Sequence, residues 1–310
     1  RIDILEIYLF LFRIIQQENF SVKSLLFNSN RLFSLLSNFL YSDSSKIAQR
    51  SQILLLALIR TNSICEPADH FLQSNFLDQY IHHILMNPSK NGFLFLRDLF
   101  NLSIESTYRF LTYIPNRSKK WMAITQIIST YSTHFSVLLQ DTDVFNETIL
   151  GCAKLFFLIV YYQREVSDVS VEILQKFWQM FFNFPTNNFL HIMFTQIFKG
   201  LNERKLLTKK MIEKLDMVNQ IVHQYQMRPT ICAAYWGHLK MISTIINGSF
   251  KINNKEWSEI VIKENKQLDK IISQPYGGEI IKARKVPLSL YLLLVFIVIL
   301  IVLIAYLAFQ

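Results

Sequence analysis

The chain has 310 residues, 51% of them hydrophobic and 14% aromatic, while Gly and Pro number only seven each. That composition excludes a disordered chain and a loop-rich β architecture, and leaves a folded, helix-rich body with a sizeable core. Lys and Arg outnumber Asp and Glu by 32 to 23, a formal net charge of +9. Such a charge fits an anionic membrane surface or an acidic partner, and nucleic acid is set aside because no helix concentrates it and no RNA-binding aromatic motif occurs.

From Ile2 to Phe27 the residues Ile4, Leu5, Tyr8, Leu9, Phe12 and Ile15 fall at helical spacing and predict one amphipathic helix. Asn30 to Tyr41 repeats the pattern, and Asp43 to Ser45 supplies a break with capping residues before a helix over Ile47 to Arg60. Three short helices are predicted over Asn75 to Met86, Asn91 to Leu102 and Ile104 to Tyr113, punctuated by Pro88 and Pro115. Arg117, Lys119 and Lys120 open a longer one running through Trp121 toward Leu139. Asp141 to Asp143 forms a turn with good N-caps, and Val144 to Tyr162 follows as an unusually apolar helix. Its length and Lys154 favour a central buried helix over a membrane span. Ser167, Asp168 and Ser170 cap the next helix, which stops at Phe184-Pro185.

Helices of this length joined by short polar loops, with no strand-like alternation, predict an all-α fold. The expected architecture is an armadillo/HEAT-like helical repeat superhelix, an α-solenoid, with an irregular all-α bundle as the alternative.

Asn187 and Asn188 precede the apolar run FLHIMFTQIF, so an Asn side chain can accept from the first free amides of the helix that follows. Read from the residues alone, His191 is a histidine bonded to a neighbouring backbone or side chain. His238 bridges two helices whose close approach Gly237 permits, and Tyr235 and Trp236 are core aromatics or interface anchors. The stretch FFNFPTNNFLHIMFTQIFKGL, then LLTKKMIEKLDMVNQIVHQY, then AAYWGHLKMISTIIN resembles the second half of the SAPS domain of protein phosphatase 6 regulatory subunits. The landmarks that carry it are Asn187, Asn188, Leu190 and His191, then Gly237, His238 and Leu239, then Trp257 and the pair Gly277-Gly278. The resemblance is good over about residues 170 to 280 and looser before that. The chain departs from the family in having Thr244 where an Asn is usual, and an apolar C-terminal run in place of a long acidic tail. The resemblance implies a non-enzymatic regulatory scaffold that binds a phosphatase 6-type serine/threonine catalytic subunit. Asn187, Asn188, His191, Tyr235, Trp236, Gly237 and His238 are then the candidate partner-binding residues.

No phosphate loop, HExxH, GxSxG or kinase signature is present. Neither catalytic residues, a cofactor, a small-molecule substrate nor a metal is therefore expected. In the pair His82-His83, with Asp78 four residues before His82, two metal ligands could share one helix face, but the pair is better read as a surface feature. Cys65, Cys152 and Cys232 are far apart, with no CxxC pair, and read as small buried hydrophobes in a reducing compartment.

The final stretch, Val286 to Phe309, holds 24 residues and no charge. At ~1.5 Å per residue it would span ~36 Å, enough to cross a hydrocarbon core of ~30 Å, so it predicts one C-terminal transmembrane helix. Lys282, Arg284 and Lys285 precede it, and the positive-inside bias then places the body in the cytosol, tail-anchored to a membrane through contact with its lipids. A buried core helix and a glycolipid-anchor signal are the competing readings. The expected organisation is a helical body over 1–279, a basic juxtamembrane linker over 280–285 and the membrane helix over 286–309. Two functions compete: a phosphatase scaffold at the membrane, or a tail-anchored tether or trafficking adaptor without phosphatase binding.

Overall fold

The computed structural model describes residues 30–42, 45–61, 67–72, 75–110, 115–228 and 233–273. Several expectations lie outside these residues. They are the helix over Ile2 to Phe27, Cys65, Cys232, Gly277, Gly278, the basic Lys282, Arg284 and Lys285, and the apolar run Val286 to Phe309. Among the described residues all regular structure is helical, and no helix is long and apolar enough to cross a membrane.

In chain order the helices are α1 (Asn30–Phe39), α2 (Ser45–Thr61), α3 (Pro67–Leu72), α4 (Phe76–Met86), α5 (Lys90–Phe110), α6 (Pro115–Thr130) and α7 (Ser132–Asp141). Next come α8 (Glu147–Gln163), α9 (Asp168–Asn183), α10 (Asn188–Glu203), α11 (Lys209–Lys214), α12 (Met217–Met227) and α13 (Trp236–Ser249). A π-helical turn, Trp257–Ile262, leads into α14 (Lys263–Ser273). The chain divides into two compact units, Arg1–Asn253 and Asn254–Gln310.

Within the first unit the helices stack in two rows. In one row α2 packs on α5, α5 on α8, α8 on α10 and α10 on α13; in the other α3 packs on α6, α6 on α7 and α7 on α9. The first row is parallel, as its cross-links show. Lys90 pairs with Glu147 at the starts of α5 and α8, and the ring of Phe100, midway along α5, meets that of Tyr162 at the end of the shorter α8, 5.5 Å apart. The Tyr161 hydroxyl, late in α8, donates to the Ile197 carbonyl late in α10. Between rows the helices are antiparallel: Ser103 of α5 meets Thr125 of α6 at 2.7 Å, while Ser118 donates to the Thr107 carbonyl. Parallel helices recurring in one row, each returned by an antiparallel partner, give the solenoid-like arrangement that the helical rhythm predicts.

The row is held at its middle by α8. Ile149, Cys152, Ala153, Leu155, Phe156, Phe157, Ile159 and Val160 are all buried, which is why this helix is apolar nearly all round. Two glycines let it pack closely: a Cβ on Gly151 would lie 3.2 Å from Phe93 and 3.3 Å from the Lys90 carbonyl, and one on Gly200 of α10 would lie 2.7 Å from the Tyr161 ring.

Three boundaries differ from expectation. The break predicted between Asn91 to Leu102 and Ile104 to Tyr113 is absent: α5 runs on through it as far as Phe110, because Ser103 turns its hydroxyl back onto the Phe100 carbonyl and onto Thr125 instead of competing with the helical ladder. The long helix predicted from Arg117 toward Leu139 is broken at Tyr131, whose hydroxyl is drawn across to Asp78 at 2.9 Å. The cap of α8 is Asn146, which accepts from the Ile149 amide at 2.9 Å, while Thr142 closes a separate turn on Val144.

In the second unit, the Asn254 side chain accepts from the Trp257 amide at 3.0 Å and so starts the π turn, in which Trp257 and Val261 are buried.

Candidate functional site

The landmark residues of the sequence converge on the seam between α9, α10 and α13. Asn187 caps α10 by accepting from the Leu190 amide at 3.2 Å, as its position predicts. One turn in, His191 is fully buried, with its ring 4.5 Å from that of Phe181 on α9 and its Nε2 donating to the Phe181 carbonyl at 3.0 Å. Its Nδ1 is buried and makes no hydrogen bond of good geometry. Burial pulls the His191 pKa down, the Phe181 carbonyl opposes this, the neighbouring His238 adds to it, and the Phe184 backbone opposes it more weakly.

His238 opens α13 and fastens it to α10 twice. Its Nδ1 lies 3.1 Å from the Thr195 hydroxyl and its Nε2 lies 3.2 Å from the Asn188 side-chain amide. The Asn188 oxygen facing Nε2 can only accept, so Nε2–H donates to it and Nδ1 is the acceptor; the single Thr195 hydroxyl proton is then shared between Nδ1 and the His191 carbonyl, 2.7 Å from the same oxygen. Burial lowers the His238 pKa and so favours this neutral ring. At the far end of the same seam Ser249 donates to Asn202 at 2.7 Å.

Tyr235 is buried against Phe181, Phe182 and His191, with its hydroxyl donating to Gln224 of α12 at 2.8 Å. Ala234 donates its amide to the Pro185 carbonyl at 2.9 Å, which joins the lead into α13 to the loop before α10. Trp236 is half-buried, and the Arg228 guanidinium lies 5.2 Å above its ring. Gly237 differs from its expected role. A Cβ there would meet nothing within 4 Å, so no close helix approach depends on it; the close contact of α10 and α13 is made by His238 itself.

The sequence reading missed what lies on the outside of this seam. Phe189 is 72% exposed, Met241 47%, Phe184 39% and Ile192 37%. Asn188 and His238 are bonded, and α10 and α13 run parallel, so Ile192 and Met241, each about one turn further on, flank the same seam. Phe189 is next to Asn188 on α10. Asn188 and Gly237 are exposed beside them. The only sequence signal was Phe189 and Ile192 at i, i+3 spacing, which a buried stripe would share.

Other candidates resolve as structural. Lys120 pairs with Asp69 at 2.8 Å and Arg117 is buried, so the basic cluster at the start of α6 is partly used inside the fold. Asp78 accepts from Tyr131 and His82 meets the Tyr131 ring edge-on at 5.3 Å; among the described residues no cluster of three metal-ligating side chains forms. Cys152 is a buried free thiol.

The family model for SAPS, the SIT4 phosphatase-associated protein, matches residues 166–274. That segment begins just before α9, contains the whole seam and ends after α14. Over this region the chain is all-helical and similar to the SAPS family of SIT4 phosphatase-associated proteins. No curated protein and no solved structure matches the chain.

Proposed function

We propose that the chain is a non-enzymatic regulatory scaffold that binds a phosphatase 6-type serine/threonine catalytic subunit and holds it at the cytosolic face of a membrane. The observation that carries the reading is the match over 166–274, because the residues marking it build one bonded seam with an apolar strip on its outer side. The seam residues divide by burial. Asn187, His191 and Tyr235 hold α9, α10 and α13 in register, while Asn188, Trp236 and Gly237, together with Phe189, Ile192 and Met241, are reachable by a partner. Exposed aromatic and Met side chains beside polar groups are the composition of a protein-binding surface.

Val286 to Phe309 supplies the membrane part of the proposal through its length and lack of charge, with Lys282, Arg284 and Lys285 beside the anionic leaflet. Tethering raises the effective concentration of a bound catalytic subunit near membrane substrates without new chemistry.

The test is affinity purification of the full chain from a detergent extract, in wild-type form and with Phe189→Glu and Ile192→Glu, followed by mass spectrometry. Recovery of a phosphatase catalytic subunit with wild type and at least tenfold less with the equally folded variant supports the scaffold. Its absence from both assigns the chain to the tether or trafficking-adaptor class instead.

A further inference from the structure

A cavity of about 300 Å³ opens where α1, α2, α4 and the first turn of α5 meet, away from the seam. Its functional walls are Tyr41, Gln52, Tyr80, His83, Asn87 and Asn91. Among the described residues none of its lining side chains is Asp, Glu, Lys or Arg, so they offer no counter-charge to an ion and would strip one of its hydration at a cost.

Two of the polar walls are deeply buried and only partly satisfied. Gln52 is 6% exposed and Tyr80 1%. The Gln52 amide donates to the Tyr80 hydroxyl at 3.3 Å, which occupies that oxygen as an acceptor. The phenolic proton, which burial holds firmly on the oxygen, has no acceptor among the described residues. The Gln52 carbonyl is likewise left to the cavity. Around the mouth Asn87 makes only a long 3.4 Å bond to the His83 carbonyl.

The aromatic residues form one continuous wall. Tyr41 stands edge-on to Tyr80 at 5.7 Å and 87°, and its ring lies 5.0 Å from His83. Rings packed edge-on at that distance leave no gap between them, so an inserted side chain would lie in the cavity beside them, against Leu40, Ala48 and Ile84; a sugar would call for a flat open ring on which to lie. Each of the three carboxamides, Gln52, Asn87 and Asn91, presents a carbonyl beside an NH2, the complement of a peptide group. The volume sits at the lower end of ligand sites and is far more than a single bridging water needs.

We propose that this cavity is a recognition site for an uncharged peptide segment of a client protein. One apolar or aromatic side chain enters the cavity beside the aromatic wall, and its flanking peptide groups pair with Gln52, Asn87 and Asn91. The site uses none of the residues of the α9, α10 and α13 seam, and it stands or falls apart from phosphatase binding.

The probe is N-acetyl-phenylalanine methylamide, offered to the full chain in detergent and read by saturation-transfer NMR, with N-acetyl-phenylalanine and methyl β-glucoside as competitors of other chemistry. The expected result is a Kd of order 1 mM for the neutral probe, in keeping with its size, and at least tenfold weaker binding of the carboxylate and the glucoside. Asn87→Ala with Asn91→Ala lies at the mouth and leaves the core packing alone; it weakens binding at least fivefold at an unchanged thermal midpoint. Ala48→Leu, which fills the cavity, abolishes it. No transfer at 10 times the expected Kd, equal binding of the glucoside, or binding untouched by both variants overturns the proposal and leaves a water-filled cavity.

Discussion

His238 at the start of α13 lies 3.2 Å from Asn188 at the start of α10, and that bond registers two parallel helices that are 50 residues apart in the chain. With the Thr195 contact on its other nitrogen, the imidazole is a two-ended clamp. His238→Ala removes both bonds and should cost about 1–2 kcal/mol, read as a lower denaturation midpoint in urea with the same slope. His238→Gln, which keeps one polar end, should recover part of the loss.

The clamp also makes stability depend on pH. Burial lowers the pKa of both His191 and His238 in the folded state, so the unfolded chain binds more protons at mildly acidic pH. Stability should be fully present above about pH 6.5, the unfolded histidine value, and fall as pH drops below it. Urea midpoints at pH 7.5 and 5.5 measure the effect. A variant carrying His238→Gln should show a shallower dependence, and an unchanged slope would dissociate the histidines from it.

The glycines predict opposite outcomes for the same substitution. Gly200→Ala puts a methyl 2.7 Å from the Tyr161 ring, whose hydroxyl bonds the Ile197 carbonyl, and should destabilise by about 1–3 kcal/mol. Gly237→Ala meets open space near the start of α13 and should be neutral or stabilising by up to about 1 kcal/mol. Thermal melts of the two variants side by side decide this.

Cys152 tests the packing of α8. It is fully buried, and desolvation pushes its thiol pKa well up, so the nucleophilic thiolate is scarce and unreachable. Iodoacetamide should leave Cys152 unmodified in the native chain and label it fully in 6 M guanidinium, as peptide mass spectrometry would show.

The seam shows why local and tertiary information part company. Asn187 as a cap was legible because a cap is a bond between residues three apart. The His191 bond to Phe181 was legible in kind, as a buried histidine needs a nearby acceptor. The exposure of Phe189 and Ile192 was not, since a helix with apolar residues on every side carries no mark of which side its neighbours leave open. Gly237 was misjudged for the same reason: glycine permits close approach, but only the position of α10 decides whether anything approaches.

The sequence by itself determined that the described body is helical, where most helices begin, and which stretch carries the SAPS likeness, because caps, 3.6-residue spacing and ordered landmarks are local along the chain. Only the tertiary structure decided that Lys90 to Phe110 is one helix, that the helix after it breaks at Tyr131, and that His238 joins α10 to α13. Each of those rests on a bond across helices, Ser103 to Thr125, Tyr131 to Asp78, His238 to Asn188, whose partner lies 22, 53 or 50 residues away. No local pattern encodes a contact at that separation, since it forms only when the rows of helices have already packed.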